Sequence, residues 1–247
     1  SELKNTLSLP PFLLAMCAWI DYNARGQRTD FIRAFVLFLI AMLCKTTMVM
    51  FPIIILLYAW WEQGRIGWQD VRNSVPFFAL AFLLGLITAL FLHQHAIGKE
   101  PIPVGGFFAG LALAGLSVAF YFSKCVLPIQ MSPMYPKWVI DPPLVEQFIP
   151  WLIMAGVCLF LWTKRRSWGR HALLGLGFFD LMLAPFVGFT TASYMTFTWV
   201  MDHLLYLPII GLIGLAVAGA EQVDNLLPPL ARLFGRGGMV IMLALLA

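Results

Sequence analysis

Charge is scarce in this sequence. Only 11% of its 247 residues are Asp, Glu, Lys or Arg, whereas 61% are hydrophobic. A water-soluble globular domain carries roughly 25% charged residues. The composition therefore excludes a soluble globular domain and indicates a chain that crosses a membrane several times. An ionisable side chain placed in lipid is costly, so each one away from the aqueous interface becomes a candidate for function.

The common motifs of phosphate binding, metal binding and serine catalysis are also absent from the sequence. It contains no G-x-G-x-x-G, no P-loop, no H-E-x-x-H and no serine nucleophile elbow. The four cysteines have no metal-binding spacing, so we interpret them as small buried side chains. The net charge of +4 does not indicate a nucleic-acid partner. We expect the basic residues to orient helices and to meet anionic membrane lipid.

Long apolar segments separated by short polar breaks predict an all-α fold. We expect one transmembrane helical domain over residues 1–247, a polytopic bundle of about eight membrane segments of ~20 residues each. The sequence begins without Met, and its last apolar run, Met239–Ala247, is too short to span a bilayer. We therefore expect the chain to be a fragment of a longer protein.

Basic residues predict which polar breaks face the cytoplasm. The positive-inside rule places 164–170 and 221–237 in the cytoplasm. The loop 190–203 has no Lys or Arg, and we expect it outside together with 128–147.

The apolar stretch Phe31–Trp61 is too long for one upright span, at about 45 Å when fully helical. Either it crosses once with a steep tilt, or it forms two helices that meet near Lys45. We favour the second interpretation. One segment between 75 and 127 then fails to cross, and Gly105–Leu127 is the candidate.

Lys45 is the most informative single residue, because it lies between two apolar runs. A lysine in the middle of a membrane helix costs roughly 2.5–3.5 kcal/mol on insertion scales. At a helix end near the outer surface it would instead be available to a phosphate. The alternative is a lysine that only extends its ammonium group to the interface.

A second group of polar residues begins the last predicted span. Asp202 and His203 are adjacent, and Tyr206 follows one turn later. A protonated His203 could hold a phosphate, while Asp202 could orient it or hold a metal. The alternative is a helix-capping aspartate beside an interfacial histidine and tyrosine.

Three further features remain open at this point. Tyr135 and Lys137 belong to a proline-rich loop that could cover a site at the membrane surface or form an interfacial anchor. Lys4 precedes the first span on the predicted outer side. Asp180 lies within an apolar segment, where it has either a function or a place at a helix break before Pro185.

Taken together, four stretches resemble one family. They are SELKNTLS at 1–8, LCKT at 43–46, YPKWVIDP at 135–142 and YMTFTWVMDHLLYL at 194–207. In this order they resemble the bacterial GT-C membrane glycosyltransferases that are often linked to tetratricopeptide repeats and are similar to tetratricopeptide-containing O-mannosyltransferases. Thr46 stands where proline is usual in that family, and His203 stands where many members have arginine.

The resemblance implies a GT-C-like fold and a multi-pass protein of the bacterial cytoplasmic membrane. It implies transfer of a sugar from a polyprenyl-phosphate carrier to a hydroxyl group outside that membrane. Lys45 and His203 would then hold the lipid phosphate, supported by Asp202 and Tyr206.

The same resemblance leaves the catalytic residue unassigned. GT-C enzymes place an acidic general base in the first outer loop, and this sequence begins beyond that point. We therefore predict no catalytic residue and no certain cofactor, with a divalent metal ion left open. The alternative function is a non-catalytic, GT-C-derived subunit that packs against other membrane protein subunits.

Overall fold

A computed structural model of the chain describes residues 2–95, 105–132, 134–187 and 193–226. Every regular element in these ranges is helical, which confirms the predicted all-α class. Short 3₁₀ turns connect several of the helices. The helices are α1 (Glu2–Arg25), α2 (Arg28–Cys44), α3 (Phe51–Gln63), α4 (Trp68–His95), α5 (Phe107–Val126), α6 (Ile149–Thr163), α7 (Gly169–Leu183) and α8 (Ile209–Leu226).

Three helical segments are long and apolar enough to cross a membrane. They are Trp68–Phe91 in α4, Phe107–Val126, which is α5, and Val145–Thr163, which is α6 with the turn before it. These segments indicate a membrane protein. The other described helices are shorter or less apolar than a full span requires, so the predicted count of about eight membrane segments remains a prediction.

The apolar stretch 31–61 is two helices that are interrupted at Lys45. Helix α2 ends at Cys44, and Lys45 takes an extended backbone conformation with φ −155° and ψ 116°. A 3₁₀ turn, Thr46–Met50, leads into α3, whose first turn contains Pro52. Proline is favourable in a first helical turn but cannot continue a preceding helix. The chain therefore breaks where the favoured interpretation placed the break.

Aromatic rings join α1 to α4 in one core. Phe38 stacks on Phe51 with ring centroids 4.7 Å apart, and Phe12 meets Phe51 edge to face at 5.6 Å. Trp19 approaches Phe77 edge to face at 5.3 Å. These are the offset and edge-to-face geometries that aromatic pairs prefer. The first four helices consequently pack as a unit that fixes the position of Lys45.

Helices α7 and α8 meet with their backbones in contact. A Cβ atom added to Gly175 would lie 2.7 Å from the carbonyl oxygen of Gly211, and one added to Gly211 would collide with the carbonyl oxygen of Gly175. Small residues allow membrane helices to approach this closely. The two glycines therefore determine how α8 lies against α7.

The packed helices have two distinguishable ends. At one end, Trp60 stacks on Trp162 with centroids 5.6 Å apart, and Trp61 Nε1 donates a hydrogen bond to His171 Nδ1 at 3.0 Å. We name this the Arg170 end. The opposite end holds Lys45 and the segment that follows α7, and we name it the Lys45 end.

Two hydrogen bonds join helix α5 to residues of the Lys45 end. Trp151 Nε1, at the start of α6, donates to the carbonyl oxygen of Leu111 at 2.8 Å. The Tyr121 hydroxyl accepts a hydrogen bond from Met201 N at 3.0 Å. The 20 residues of α5, about 30 Å, could span a bilayer by length. The expectation that Gly105–Leu127 does not cross therefore remains a prediction.

Candidate functional site

A small cavity at the Lys45 end brings together residues from four parts of the chain. It measures about 370 Å³ including its open mouth. Ser8 contributes from α1 and Phe186 from the turn after α7. Lys45, His203 and Tyr206 also line it. The sequence had singled out these last three residues separately, and the structure places them around one space.

Lys45 reaches the cavity because the helix ends just before it. Because its backbone is extended, its side chain does not follow the helical surface of α2. Its own N–H still donates a hydrogen bond to Ala41 O at 2.9 Å. Lys45 Nζ lies 5.2 Å from the centroid of the Phe186 ring. A cation over an aromatic face is stabilised, most strongly where water is excluded. The ring thus holds a positive charge beside the cavity.

His203 is positioned by a short turn with a buried apolar side. Residues Asp202–Leu205 form a 3₁₀ turn after the extended residue Met201. Leu204 and Leu205 are buried beneath the turn and anchor it. Tyr206 follows at the mouth of the cavity and is 57% exposed. A second positive charge can therefore stand opposite Lys45 whenever the His203 imidazole is protonated.

Asp202 has a different role from the one that the sequence indicated. Its carboxylate accepts hydrogen bonds from the Tyr135 hydroxyl at 2.9 Å and from Ser132 N at 2.7 Å. Asp202 does not line the cavity, and its side chain does not cap its own turn. It therefore stabilises the position of the 128–147 loop through these hydrogen bonds.

Tyr135 belongs to a loop that lies over residues 193–205. The Thr198 hydroxyl accepts from Tyr135 N at 3.2 Å and lies 2.8 Å from Tyr135 O. Trp199 Nε1 donates to the carbonyl oxygen of Trp138 at 3.0 Å. Thr198 is fully buried, so these bonds form in a dry setting where an unsatisfied polar group would be costly. The two loops that were predicted to lie outside thus form one joined layer.

Lys137 and Lys4, like Asp202 and Tyr135, do not line the cavity. Lys137 Nζ lies 4.5 Å from the centroid of the Trp199 ring, within the joined loops. Lys4 is exposed in the first turn of α1 and does not line the cavity. It precedes Ser8 by four residues and so shares a helix face with it. Lys4 is placed near the approach to the cavity, whereas Lys137 stabilises the loop layer.

Several residues of this region were not singled out from the sequence. Phe186 accepts a hydrogen bond on its carbonyl oxygen from the Tyr194 hydroxyl at 3.0 Å. Burial raises the pKa of Tyr194, which keeps its hydroxyl protonated and able to donate. Ser8 belongs to the first of the four family-like stretches, and nothing else in the sequence indicated that it would line the cavity. Phe186 and Tyr194 are ordinary apolar and aromatic residues in sequence, so no pattern distinguished them.

The described lining of the cavity is basic rather than acidic. Its lining in the described part of the chain includes a lysine and a histidine but no Asp or Glu. The enclosed part of the cavity is small, close to the size needed for a single water molecule. Within the described ranges, no three His, Cys, Asp or Glu side chains converge as metal ligands would.

Asp180 lies in a separate apolar groove between α5, α6 and α7. The groove occupies about 860 Å³, and Gly115, Phe122 and Cys158 are among the residues around it. Asp180 therefore does not take part in the Lys45 cavity.

No family model, curated protein or solved structure matches the chain.

Proposed function

We propose that this protein is a multi-pass GT-C-type glycosyltransferase of the bacterial cytoplasmic membrane. It transfers a sugar from a polyprenyl-phosphate donor to a hydroxyl acceptor on the periplasmic side. One observation supports this most strongly. Lys45 and His203, far apart in sequence, line the same cavity together with Tyr206.

The proposed chemistry needs positive charge at the leaving group. When the bond between the sugar C1 and the phosphate oxygen breaks, its electron pair remains on the phosphate. Lys45 and a protonated His203 would stabilise the resulting negative charge, which counts for more in a site of low dielectric constant than in water. The cavity admits a phosphate oxygen, while the sugar and the prenyl chain lie outside it.

The acceptor completes the balance of the reaction. Its hydroxyl oxygen forms the new bond to C1 and releases a proton to a general base. No carboxylate is present among the described lining residues, so the base is not assigned to any residue here.

The absence of a carboxylate from the described lining favours a second candidate function. Asp202, the acidic residue closest in sequence to His203, already accepts two donors from the 128–147 loop. If the whole cavity is like its described lining, with cations and no carboxylate, it would bind a lipid phosphate without transferring its sugar. The protein would then be a non-catalytic, GT-C-derived subunit that packs against other membrane protein subunits.

Sugar transfer by membranes that contain the full chain tests the first proposal. A labelled polyprenyl-phosphate sugar is supplied, and transfer to an added hydroxyl acceptor is measured at matched protein levels. Lys45→Ala and His203→Ala should each lower transfer at least tenfold, as removal of a charge-stabilising group does. Arg25→Ala is the control, because Arg25 pairs with Asp21 on the surface at 3.3 Å.

Binding of the same donor, measured separately, distinguishes the two functions. If the wild type binds the donor through Lys45 but transfers no sugar, the result supports the non-catalytic subunit function. Wild-type transfer by both variants would remove Lys45 and His203 from the site.

A further inference from the structure

A second cleft opens at the Arg170 end, between α1, α3, α7 and α8. It occupies about 810 Å³ and is lined mainly by apolar side chains and glycines. On α7 it extends from His171 to Phe178, which corresponds to about 10 Å along the helix. Gly211 and Gly214 of α8 form part of its wall. We name this space the α7–α8 groove.

The polar end of the groove is at His171. Trp61 Nε1 donates to His171 Nδ1, so that nitrogen is an acceptor. The other ring nitrogen of a neutral histidine then carries the proton and can donate. His171 is exposed, so this donor is accessible to a polar group at the groove mouth.

Positive charge without acidic partners directly precedes His171 in the sequence. Lys164, Arg166 and Arg170 make no hydrogen bond or ion pair through their side chains within the part of the chain that the structure describes. Two other arginines of the described chain differ, because Arg25 pairs with Asp21 and Arg33 with Asp30. The unpaired cations therefore have charge available for a ligand.

The turn before α7 brings these cations to the start of the helix that carries His171. Ser167 N and Gly169 N both donate to the carbonyl oxygen of Lys164, at 2.9 and 3.2 Å, which closes the turn. Arg170 follows directly and precedes His171. The turn also lies at the N-terminus of α7, where the helix dipole adds partial positive charge.

Tryptophans mark this end as a membrane–water interface. Trp60 stacks on Trp162, and the Arg165 guanidinium lies 4.7 Å from the Trp162 ring centroid. Tryptophan is enriched at the level of lipid headgroups. The cations are then at headgroup level, and the apolar groove extends from them toward the bilayer interior.

We propose that the α7–α8 groove binds one anionic glycerophospholipid. The phosphate contacts Arg170, His171 and the 164–168 turn, and one acyl chain lies along the wall formed by Gly211 and Gly214. Basic pockets between membrane helices bind anionic headgroups in this way. The site is at the opposite end of the molecule from Lys45, so the proposal does not depend on the proposed function.

The acidic residue Glu221 of α8 tests the sign of the proposed charge effect. Glu221 is exposed and lies three residues beyond Ala218, a lining residue on the same face of α8. Its charge repels an anionic headgroup, so Glu221→Gln should strengthen lipid retention.

Native mass spectrometry of the full chain provides the measurement. The protein is released from nanodiscs that contain equal amounts of phosphatidylglycerol and phosphatidylcholine with the same acyl chains, and retained lipids are counted. We expect selective retention of one phosphatidylglycerol. The double variant Lys164→Gln with Arg170→Gln should lower this retention at least tenfold, whereas Arg72→Gln, an exposed arginine of α4, should not change it.

A groove-filling variant tests the acyl-chain contact separately. A Cβ at Gly214 meets nothing within 4 Å, so Gly214→Leu fills the groove without disturbing the helices. Gly219 has equally open surroundings but does not line the groove, and Gly219→Leu is the matched control. Gly214→Leu should abolish retention while Gly219→Leu preserves it.

Two results would overturn the proposal. Equal retention of the two lipids by the wild type would show that the basic turn selects no anion. If the charge variants lose phosphatidylglycerol while Gly214→Leu retains it normally, the cations attract the headgroup but the groove does not hold the acyl chain.

Discussion

Tyr135 donates a hydrogen bond to the carboxylate of Asp202 at 2.9 Å, across 67 positions of sequence. Ser132 N donates to the same carboxylate. Hydrogen bonds to a charged acceptor are worth about 1.5–3 kcal/mol, more than neutral ones. This contact therefore joins the loop before α6 to the turn that carries His203.

Tyr135→Phe should loosen the loop layer without unfolding the helices. The variant removes the donor and keeps the ring that packs on Phe120 at 4.8 Å. Amide hydrogen exchange over 134–147 should become faster, while exchange in α1 to α3 stays unchanged. Tyr206→Phe is the control, because that residue is exposed and outside the loop layer. Unchanged exchange in Tyr135→Phe would show that Asp202 does not hold the loop.

The charge on His203 should make donor binding depend on pH. An imidazole loses its positive charge as the pH rises between about 5 and 8, whereas an arginine keeps its charge. Retention of a polyprenyl phosphate by the wild type should therefore weaken over that interval. His203→Arg should bind equally across it, and His203→Gln should bind weakly throughout. Parallel pH profiles for wild type and His203→Arg would exclude His203 as the titrating group.

Helix α5 should have both ends on one side of the membrane. Phe107 and Val126 are 75% and 60% exposed, so single cysteines there can react. In a background without the native cysteines, a membrane-impermeant maleimide should label Phe107→Cys and Val126→Cys from the same side. Labelling from opposite sides would show that α5 crosses the bilayer.

Gly211→Ala should destabilise the packing of α7 on α8. The added methyl group would meet the carbonyl oxygen of Gly175, which is backbone and cannot rotate away. Overpacking of this kind typically costs about 1–3 kcal/mol. The midpoint of thermal unfolding in detergent should fall, whereas Gly219→Ala should leave it close to that of the wild type. An unchanged midpoint in Gly211→Ala would contradict direct backbone contact.

Local structure was the most predictable part of the chain. The apolar segments, the helix break at Lys45 and the helical class were predicted from composition, from the length of 31–61 and from the position of Lys45. The position of helix α5 was harder to predict, because its length and hydropathy are those of a membrane-spanning helix. Its placement depends on contacts with Trp151 and Met201, and such distant contacts leave no local pattern.

Three of the residues singled out from the sequence, Lys45, His203 and Tyr206, line one cavity, and the geometry that brings them together could not be predicted. Scarcity of charge drew attention to Lys45 and His203, since few ionisable residues border the apolar segments. The distances between segments are set by the packing of α1 to α4 and by the loop layer. The hydrogen bonds of Asp202, the ring of Phe186 beneath Lys45 and the exclusion of Lys137 all depend on that packing.

The wall that Gly175, Gly211 and Gly214 give to the α7–α8 groove has no side-chain rotamers. A groove bordered by long side chains can widen or narrow when those side chains rotate. Rotation of side chains on the opposite wall can change the width, but the glycine wall itself moves only with the helix axes, and their contact through Gly175 and Gly211 opposes that movement. One side of whatever lies there therefore meets backbone at a constant position.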